Sequence, residues 1–405
     1  MSMTTSISSR IASALLALAI IVTSQSAYAL TMLEKTRDVN ETISQENLDN
    51  PYYDSIQWGY EVGVFDGYKD GINAGKFLPD GQITRAEFLK MMFNVTKEPI
   101  GDEYNTNCFT DSSPDKWYNK YLCYSKVKKY LGGYADGTFH PNDNILVSEA
   151  HKILVNVFGI ESNESQVSKV SDFIDTGKWY YEFVTVALSN GIRFSNNERP
   201  ATESYEQKLT RGEMMNLLFQ FYAVAVSKQV TSELLEGFKK KDASVIFPLL
   251  DKKSQDQVGD QQKLQTLLSK IPVYVSATKY QGGVFYNGMT YAYERDYRYV
   301  DSRNEKYDRK AVTSQYTLSF VLGSEDSDDT IKQNIVLATV LSKGKWQVHI
   351  EKDSQFYEAT AYSDVSEDRK EPVLFGFLGM ELCRNTKNTS CFNIWQELNS
   401  VKEVD

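Results

Sequence analysis

Apolar side chains recur at helical spacing in three stretches of the chain, and each stretch begins just after a glutamate. The spacing i, i+3, i+4, i+7 after Glu87 is typical of one buried helical face, and the same frame follows Glu149 and Glu213. The apolar positions are Phe88, Met91, Met92 and Val95 in the first stretch, Ala150, Ile153, Leu154 and Val157 in the second, and Met214, Leu217, Leu218 and Phe221 in the third. Each stretch therefore predicts an amphipathic helix packed against a core.

Two of the three glutamates also mark where their helix begins. Thr84 stands three residues before Glu87, and Thr210 stands in the same place before Glu213. A threonine hydroxyl at this place accepts the backbone N–H of the glutamate, whose side chain accepts the N–H of the threonine in return. This capping box predicts that the first and third helices begin directly after Thr84 and Thr210.

A matching first half precedes each glutamate. Trp117-Tyr118 and Trp179-Tyr180 open equivalent segments, and the first copy has Pro51-Tyr52 there. A glycine turn follows in two copies, since GYKDG at 67–71 matches GYADG at 133–137. The unit is therefore a helix, a loop and a second helix. An aromatic residue that opens an amphipathic helix usually lies in the core, so we expect Trp117 and Trp179 to lie there.

These motifs resemble the S-layer homology family, whose pattern is an F-x-D and W-Y start, a G-Y-x-D-G-x-F-x-P loop and an I-T-R-A-E-F box. The resemblance implies an all-α region of three repeats, at 51–100, 101–162 and 163–224, packed around a pseudo-threefold axis and binding cell-wall polysaccharide. The copies depart from the pattern differently: the first lacks the opening Trp, the second has Leu146-Val147-Ser148 in place of Thr84-Arg85-Ala86, and the third has Phe194-Ser195-Asn196 in place of the Asp-Gly turn. We therefore expect unequal sites.

The first 29 residues have the pattern of a secretory signal. They contain Arg10, an apolar run from Ile11 to Val22, and Ala27-Tyr28-Ala29, which fits an A-x-A cleavage site. The run is shorter than the roughly 20 residues that span a bilayer, and Leu30 stands where a lipoprotein has cysteine. We therefore expect a secreted protein of the cell surface or envelope, with no transmembrane segment. The polar residues 30–50 are expected to form a leader or a loose helix.

After Ala223 the repeat ends and the pattern changes. Val230, Leu234 and Phe238 predict a helix, and apolar stretches follow at 245–250 and 264–268. Alternating positions then predict antiparallel strands at 291–299, 312–320, 331–341 and 345–350, the last two forming a hairpin across residues 342–344. The chain is therefore predicted to be multidomain, with an α+β domain at 225–363 and a tail at 364–405. The order of elements resembles the NTF2-like (cystatin-like) group.

Four cysteines in a chain with an export signal favour disulfides. Cys108 and Cys123 lie within one repeat, whereas Cys383 and Cys391 share the C-terminal tail, so local pairing is predicted. A zinc site is the alternative, but the chain has no Cys-x-x-Cys and its three histidines show no ligand spacing. We therefore predict two disulfides and no metal.

Arg85 and Arg211 are the strongest candidates for ligand binding. A cation in the first helical turn faces the positive end of the helix dipole, which costs roughly 0.3–1 kcal/mol. One explanation is that each guanidinium, with free N–H groups of its helix, binds a carboxylate or phosphate; the other is that each pairs with a nearby acid. The family resemblance favours the ligand and implies that the loops line a glycan groove, with Tyr68, Tyr134, Asp70, Gly71, Asp136 and Gly137. Turn formation alone also explains the Asp-Gly pairs.

Catalysis has little support in the sequence, which contains no Gly-x-Ser-x-Gly, no His-Glu-x-x-His and no phosphate loop. No catalytic residue and no cofactor are predicted. A net charge of -10 argues against nucleic acid as a partner. We expect non-covalent attachment to an acidic, for example pyruvylated, wall glycan, with the C-terminal domain as cargo. The alternatives are an anchored enzyme acting on wall or environmental polymer and a subunit of a surface lattice or adhesin; the oligomeric state is left open.

Overall fold

The structure is a computed structural model. It describes residues 50–170, 174–194, 202–270, 273–286, 311–322, 330–342 and 345–349, together with residues 30, 33, 37, 42 and 43. The predicted secretory signal, the predicted strand at 291–299, and the tail that contains Cys383 and Cys391 lie outside the described residues.

The described part of the chain is helical up to residue 270 and then forms a sheet. The helices are α1 Tyr53–Glu61, α2 Arg85–Thr96, α3 Asn119–Val127, α4 Val147–Phe158, α5 Glu164–Val170, α6 Tyr181–Ser189, α7 Arg211–Lys240, α8 Ala243–Leu249, α9 Lys252–Val258 and α10 Gln261–Lys270. Short 3₁₀ turns lie at Gly71–Asn73, Asp102–Tyr104 and Thr202–Glu206. The three helices predicted after the glutamate boxes are α2, α4 and α7.

The predicted apolar faces of these three helices are buried, except that Val157 of α4 is only partly buried. Phe88, Met92 and Val95 of α2, Ala150 and Leu154 of α4, and Met214, Leu217, Leu218 and Phe221 of α7 are at most 3% exposed and belong to one core. Burying a side chain of this size stabilises the fold by about 1.5–3 kcal/mol. These helices are therefore held chiefly by their shared core.

Three short extended segments link the starts of α2, α4 and α7 in a closed ring. The N–H of Ile83 donates to the carbonyl of Leu209 (3.3 Å), that of Leu209 to Ile145 (2.9 Å), and that of Ile145 to Ile83 (3.1 Å). All three side chains are fully buried. Because each residue lies two positions before its helix, the ring fixes the start of each helix against the next.

The segment before the first repeat packs against the core at its described residues. Leu33 is 6% exposed and Ile43 is fully buried. The N–H of Leu33 donates to the hydroxyl of Tyr222 on α7 (2.6 Å), and Arg37 pairs with Asp66 (2.7 Å). The sparse apolar residues of this segment therefore anchor its described positions to the core.

Helix α7 runs without a break through the predicted boundary at 224/225. Its 30 residues join the predicted third repeat to the sheet, and the separate helix expected around Val230 is its second half. Along α7, Phe219 contacts Trp346 of the sheet with ring centroids 6.2 Å apart. The hydroxyls of Ser227 and Thr339 lie 2.5 Å apart in the buried interface. The helical region and the sheet therefore share one continuous core.

The described strands form an antiparallel sheet in the order β1-β2-β3-β4. They are β1 Val273–Tyr286, β2 Ala311–Leu322, β3 Thr330–Ser342 and β4 Lys345–His349. Strands β2, β3 and β4 confirm three predicted strands, and Ser342 pairs with Lys345 as the hairpin requires. Strand β1 was not predicted, because its segment VYVSATKYQGGVFY contains a Gly-Gly pair and no clean alternation.

Cys108 and Cys123 form the predicted disulfide, with a Cα–Cα distance of 5.5 Å. The second predicted pair is outside the described residues. Among the described helices, none has a stretch long and apolar enough to cross a membrane.

Candidate functional site

The glutamate boxes begin α2 and α7 as predicted. The hydroxyl of Thr84 accepts the N–H of Glu87 (3.2 Å), and the glutamate carboxylate accepts the N–H of Thr84 (2.9 Å). Thr210 and Glu213 repeat this arrangement with distances of 3.2 and 2.9 Å. At α4, Leu146 has no hydroxyl, so only the return bond from its N–H to Glu149 forms (3.0 Å).

The remaining N–H groups at the helix starts are already bonded to a loop of the neighbouring segment. Those of Arg85 and Ala86 donate to the carbonyls of Asp143 and Pro141, each at 2.9 Å. The N–H groups of Arg211 and Gly212 donate to Gly81 and Pro79, each at 2.8 Å. The helix N-termini therefore have no free N–H groups for an anion at these positions, contrary to expectation, and any ligand must contact side chains.

Arg85 projects from α2 onto the loop of the second repeat. We call this the Arg85 junction, formed by Arg85, Tyr134, Phe139 and Glu149. The Nε of Arg85 donates to the carbonyl of Phe139 (2.9 Å), and the guanidinium carbon lies 4.3 Å from the Phe139 ring centroid and 5.2 Å from that of Tyr134. Its Nη1 lies 2.5 Å from Glu149 Oε1 as an ion pair, not as an aligned hydrogen bond. The Arg85 side chain is only 6% exposed.

Glu149 is shared between Arg85 and a tyrosine. The hydroxyl of Tyr134 donates to Glu149 Oε1 (2.8 Å). Burial, together with the hydrogen bond to the carboxylate, raises the pKa of Tyr134 to about 12, although the Arg85 charge acts in the opposite direction. Tyr134 therefore stays a neutral donor at ordinary pH, and the carboxylate binds both neighbours.

Arg211 projects from the start of α7 onto the loop of the first repeat, as Arg85 does onto the loop of the second. We call this the Arg211 junction, formed by Arg211, Tyr68 and Phe77. The Nε of Arg211 donates to the carbonyl of Phe77 (2.8 Å), and the guanidinium lies 4.8 Å from the Phe77 ring and 5.2 Å from the Tyr68 ring. Within the described part of the chain, no carboxylate lies within ion-pair distance of it. The Arg211 charge is therefore not balanced by any carboxylate that the structure describes.

The third such position has no arginine. Val147 takes its place, and the nearby interior contains His151, whose ring is 5.4 Å from that of Tyr205 and 6.3 Å from that of Phe221. His151 is fully buried. Burial lowers its pKa to about 4, although the hydrogen bond to the carbonyl of Val147 opposes the shift. This position, which we call the Val147 junction, has a valine in place of the arginine, and its described interior is filled with side chains.

The predicted Asp-Gly pairs lie in exposed loops beside the two arginine junctions. Gly71 and Gly137 have φ values of 74° and 82°, which favour glycine. Asp136 accepts the N–H of Thr138 (3.0 Å), so turn formation accounts for its position. Asp70 precedes the 3₁₀ turn without a side-chain hydrogen bond to it. The loop with Tyr68 is four residues longer than the loop with Tyr134, counted from Tyr68 to Phe77 and from Tyr134 to Phe139.

Trp117 and Trp179 are not core residues. They are 53% and 56% exposed, whereas the tyrosines that follow them, Tyr118 and Tyr180, are buried at 5% and 1%. The first turn therefore points its second aromatic residue inward. A lysine lies over each tryptophan ring, Lys90 at 5.5 Å and Lys152 at 5.6 Å from the centroid.

Sequence reasoning missed four contributors to these surfaces. Glu149 was read only as a helix marker, and its ion pair with Arg85 joins the second repeat to the first. Lys90 and Lys152 lie five residues after Arg85 and Val147, so their repetition was visible in the sequence. Asp111, in the F-x-D motif, accepts the N–H groups of Phe139 (2.9 Å) and His140 (2.7 Å) and thereby holds the loop.

Comparison with known proteins supports the resemblance. The model of the S-layer homology domain matches residues 49–89 and 109–146. The Surface-layer 125 kDa protein of Lysinibacillus sphaericus is 27% identical over 139 residues, which are 34% of this chain and 11% of that protein. The Cellulosome-anchoring protein of Acetivibrio thermocellus is 30% identical over 121 residues, covering 29% of this chain and 26% of that protein.

A third relative is also named as a surface-layer protein. The S-layer protein sap of Bacillus anthracis is 26% identical over 148 residues, which are 36% of this chain and 17% of that protein. The matched region therefore spans about a quarter or less of the length of these relatives. The two matches to the family model lie at the segments that contain Arg85 and Tyr134, which are the segments that carry the resemblance to S-layer homology domains.

Proposed function

We propose that this protein is exported and held at the cell surface by non-covalent binding of its S-layer homology repeats to an acidic wall polysaccharide. The family match and the relatives support this, since those relatives are named as surface-layer proteins and as a cellulosome-anchoring protein. The apolar N-terminal run and the A-x-A pattern support export. Residues beyond α7 would then be the cargo.

The observation that carries the proposal is that Arg211 lies beside an exposed ring and has no carboxylate within ion-pair distance in the described part of the chain. The guanidinium binds a carboxylate through two parallel hydrogen bonds more strongly than a neutral donor does. Tyr68 is 41% exposed and lies next to it, and an aromatic face is suited to the apolar face of a sugar. The Arg211 junction thus offers contacts for the acid group and the ring of an anionic sugar.

The repeats are proposed to pack around a pseudo-threefold axis, with the third repeat at 163–224. Support comes from the ring of Ile83, Ile145 and Leu209, in which each segment donates to one neighbour and accepts from the other. In this arrangement each junction takes its helix from one repeat and its loop from the next. The predicted glycan residues Asp70, Gly71, Asp136 and Gly137 would line the two arginine junctions.

We also propose that the C-terminal region is an α+β domain that resembles the NTF2-like group. Helices α8–α10 followed by an antiparallel meander support the α+β class, and fold alone does not assign an activity. Among the described residues, no group of histidines, cysteines and carboxylates has the arrangement of a metal site.

Cosedimentation of residues 30–405 with purified wall sacculi tests the proposal. We expect the wild-type protein to pellet with intact sacculi and to stay in the supernatant once the wall polysaccharide has been extracted. Arg211→Gln should pellet far less while it melts close to wild type. Equal pelleting with extracted sacculi would show that polysaccharide is not what the protein binds.

A further inference from the structure

The carboxylate of Glu149 is fully engaged inside the Arg85 junction. Oε1 lies 2.5 Å from Arg85 Nη1 and accepts the Tyr134 hydroxyl at 2.8 Å, while Oε2 accepts the N–H of Leu146 at 3.0 Å. The side chain of Glu149 is 15% exposed. An acid that comes from the next repeat therefore already occupies the side of the guanidinium that a carboxylate ligand would use.

The matching glutamates have different surroundings. Oε2 of Glu87 accepts the N–H and the hydroxyl of Thr84 at 2.9 and 2.8 Å, and it forms no ion pair with Arg211 among the described residues. Glu213 caps α7 through Thr210, and the place of the arginine at its junction is taken by Val147. Among the three glutamates, only Glu149 balances the charge of an arginine in the described structure.

We infer that Glu149 determines the ligand class of the Arg85 junction, closing it to anionic sugar units and leaving the exposed Tyr134 ring for neutral ones. The inference rests on the proposed function, because it assumes that the junctions bind sugars. An anionic unit would have to displace a tethered carboxylate that is always present at high effective concentration, and it would be repelled by that charge at short range. Tyr134 is 45% exposed, so a neutral ring can stack there without breaking the ion pair.

The inference predicts a gain of binding when the internal carboxylate is removed. Glu149→Gln keeps an oxygen for the N–H of Leu146 and leaves Arg85 unbalanced, so the junction should accept an anionic unit. Glu213→Gln is the matched control, because it makes the same change in the glutamate whose junction has Val147 in place of an arginine. The probe is the 4,6-pyruvate ketal of methyl glucoside, with methyl glucoside as its neutral counterpart.

Calorimetric titration of residues 30–405 measures the number of ketal molecules bound per chain. We expect one bound ketal per chain for wild type and for Glu213→Gln, and two for Glu149→Gln. The double variant Arg85→Gln/Glu149→Gln should lose the second ketal, because it lacks the arginine that binds it. If folded Glu149→Gln binds the same number of ketal molecules as wild type, the inference is overturned. If wild type binds no ketal, the result counts against the proposed function instead.

A second measurement uses only the wild-type chain and does not depend on how the variant folds. In ¹⁵N-arginine spectra, the Nε–H resonance of Arg211 should shift on addition of the ketal, while that of Arg85 should stay in place. Equal shifts of both resonances would overturn the role assigned to Glu149. No shift of Arg211 would contradict the proposed function instead.

Discussion

The Arg85 junction and the Arg211 junction contain the same parts but balance their charge differently. Each arginine follows a capping threonine, donates from Nε to a phenylalanine carbonyl and lies against a tyrosine ring. Arg85 is buried and paired with Glu149, whereas Arg211 is partly exposed and has no ion-pair partner among the described residues. The same motif can thus form an internal ion pair in one place and, in another, present a guanidinium that no described carboxylate pairs with, which is the charge we propose binds the ligand.

The difference depends on the neighbouring repeat rather than on the arginine itself. The Tyr134 loop is the shorter of the two, and its tyrosine and Glu149 contact Arg85 together. The longer Tyr68 loop contains an additional 3₁₀ turn at Gly71–Asn73. An arginine in this motif is therefore assigned a role only once the loop and glutamate that face it are known.

The largest expected effect is on stability at the Arg85 junction. Arg85→Met should lower the free energy of unfolding by about 3–5 kcal/mol, because it leaves Glu149 buried without its partner. Arg211→Met, which loses one hydrogen bond at a partly exposed position, should cost about 1–2 kcal/mol. Urea denaturation measures both values. Equal losses would remove the distinction between the junctions.

The Arg85→Met/Glu149→Gln double variant sharpens this comparison. Removing both charges should recover part of the loss seen in Arg85→Met, since no buried charge then lacks a partner. Purely additive losses would mean that the two residues do not interact in solution.

Removal of the disulfide should have the next largest effect on stability. The disulfide lies in the second repeat, which also supplies Tyr134 and Glu149 to the Arg85 junction. Replacing Cys108 and Cys123 together by alanine removes a bridge with a sequence separation of 15 residues, which should lower stability by about 3 kcal/mol. The Arg211 junction has no equivalent, so the loss should make the second repeat more sensitive to proteolysis than the first. Peptide mapping of limited digests identifies the cleaved repeat, and preferential cleavage in the first repeat would contradict the expectation.

The Val147 junction should respond to acid. The folded pKa of His151 is about 4, compared with 6.5 as the ordinary value, so the folded state binds fewer protons between these pH values. Stability is complete above about pH 6.5 and falls as the pH drops towards 4, by about 3 kcal/mol from this residue. Among the described residues, the titratable ring that packs against His151 is that of Tyr205. Burial raises the pKa of Tyr205, although the Arg193 charge opposes the shift. His151→Phe should flatten this part of the stability profile, and a difference between variant and wild type that does not change with pH would exclude the effect.

The sequence was sufficient for features that depend on neighbours in the chain. The capping boxes, the buried faces of α2, α4 and α7, and the pairing of Cys108 with Cys123 follow from local spacing, and the structure confirms them. Three of the predicted strands are also confirmed, because strict alternation is itself a local signal.

Features that depend on how segments meet were not predictable. The ion pair between Arg85 and Glu149 joins residues 64 positions apart, and no local pattern marks it. Trp117 was expected in the core because its helix is amphipathic, yet the turn directs Tyr118 inward instead. The N–H groups at the helix starts were expected to bind a ligand, and the neighbouring loop binds them.

Glycan binding by Arg211 is the most direct test of the proposed function. Titration of released, pyruvylated wall polysaccharide into wild type and Arg211→Gln compares the two affinities by calorimetry. A guanidinium–carboxylate hydrogen bond contributes about 1.5–3 kcal/mol, so the variant should bind roughly tenfold to a hundredfold more weakly, with a thermal melt that shows it remains folded. Equal affinities of the two folded proteins would show that Arg211 does not bind the glycan and would contradict the account.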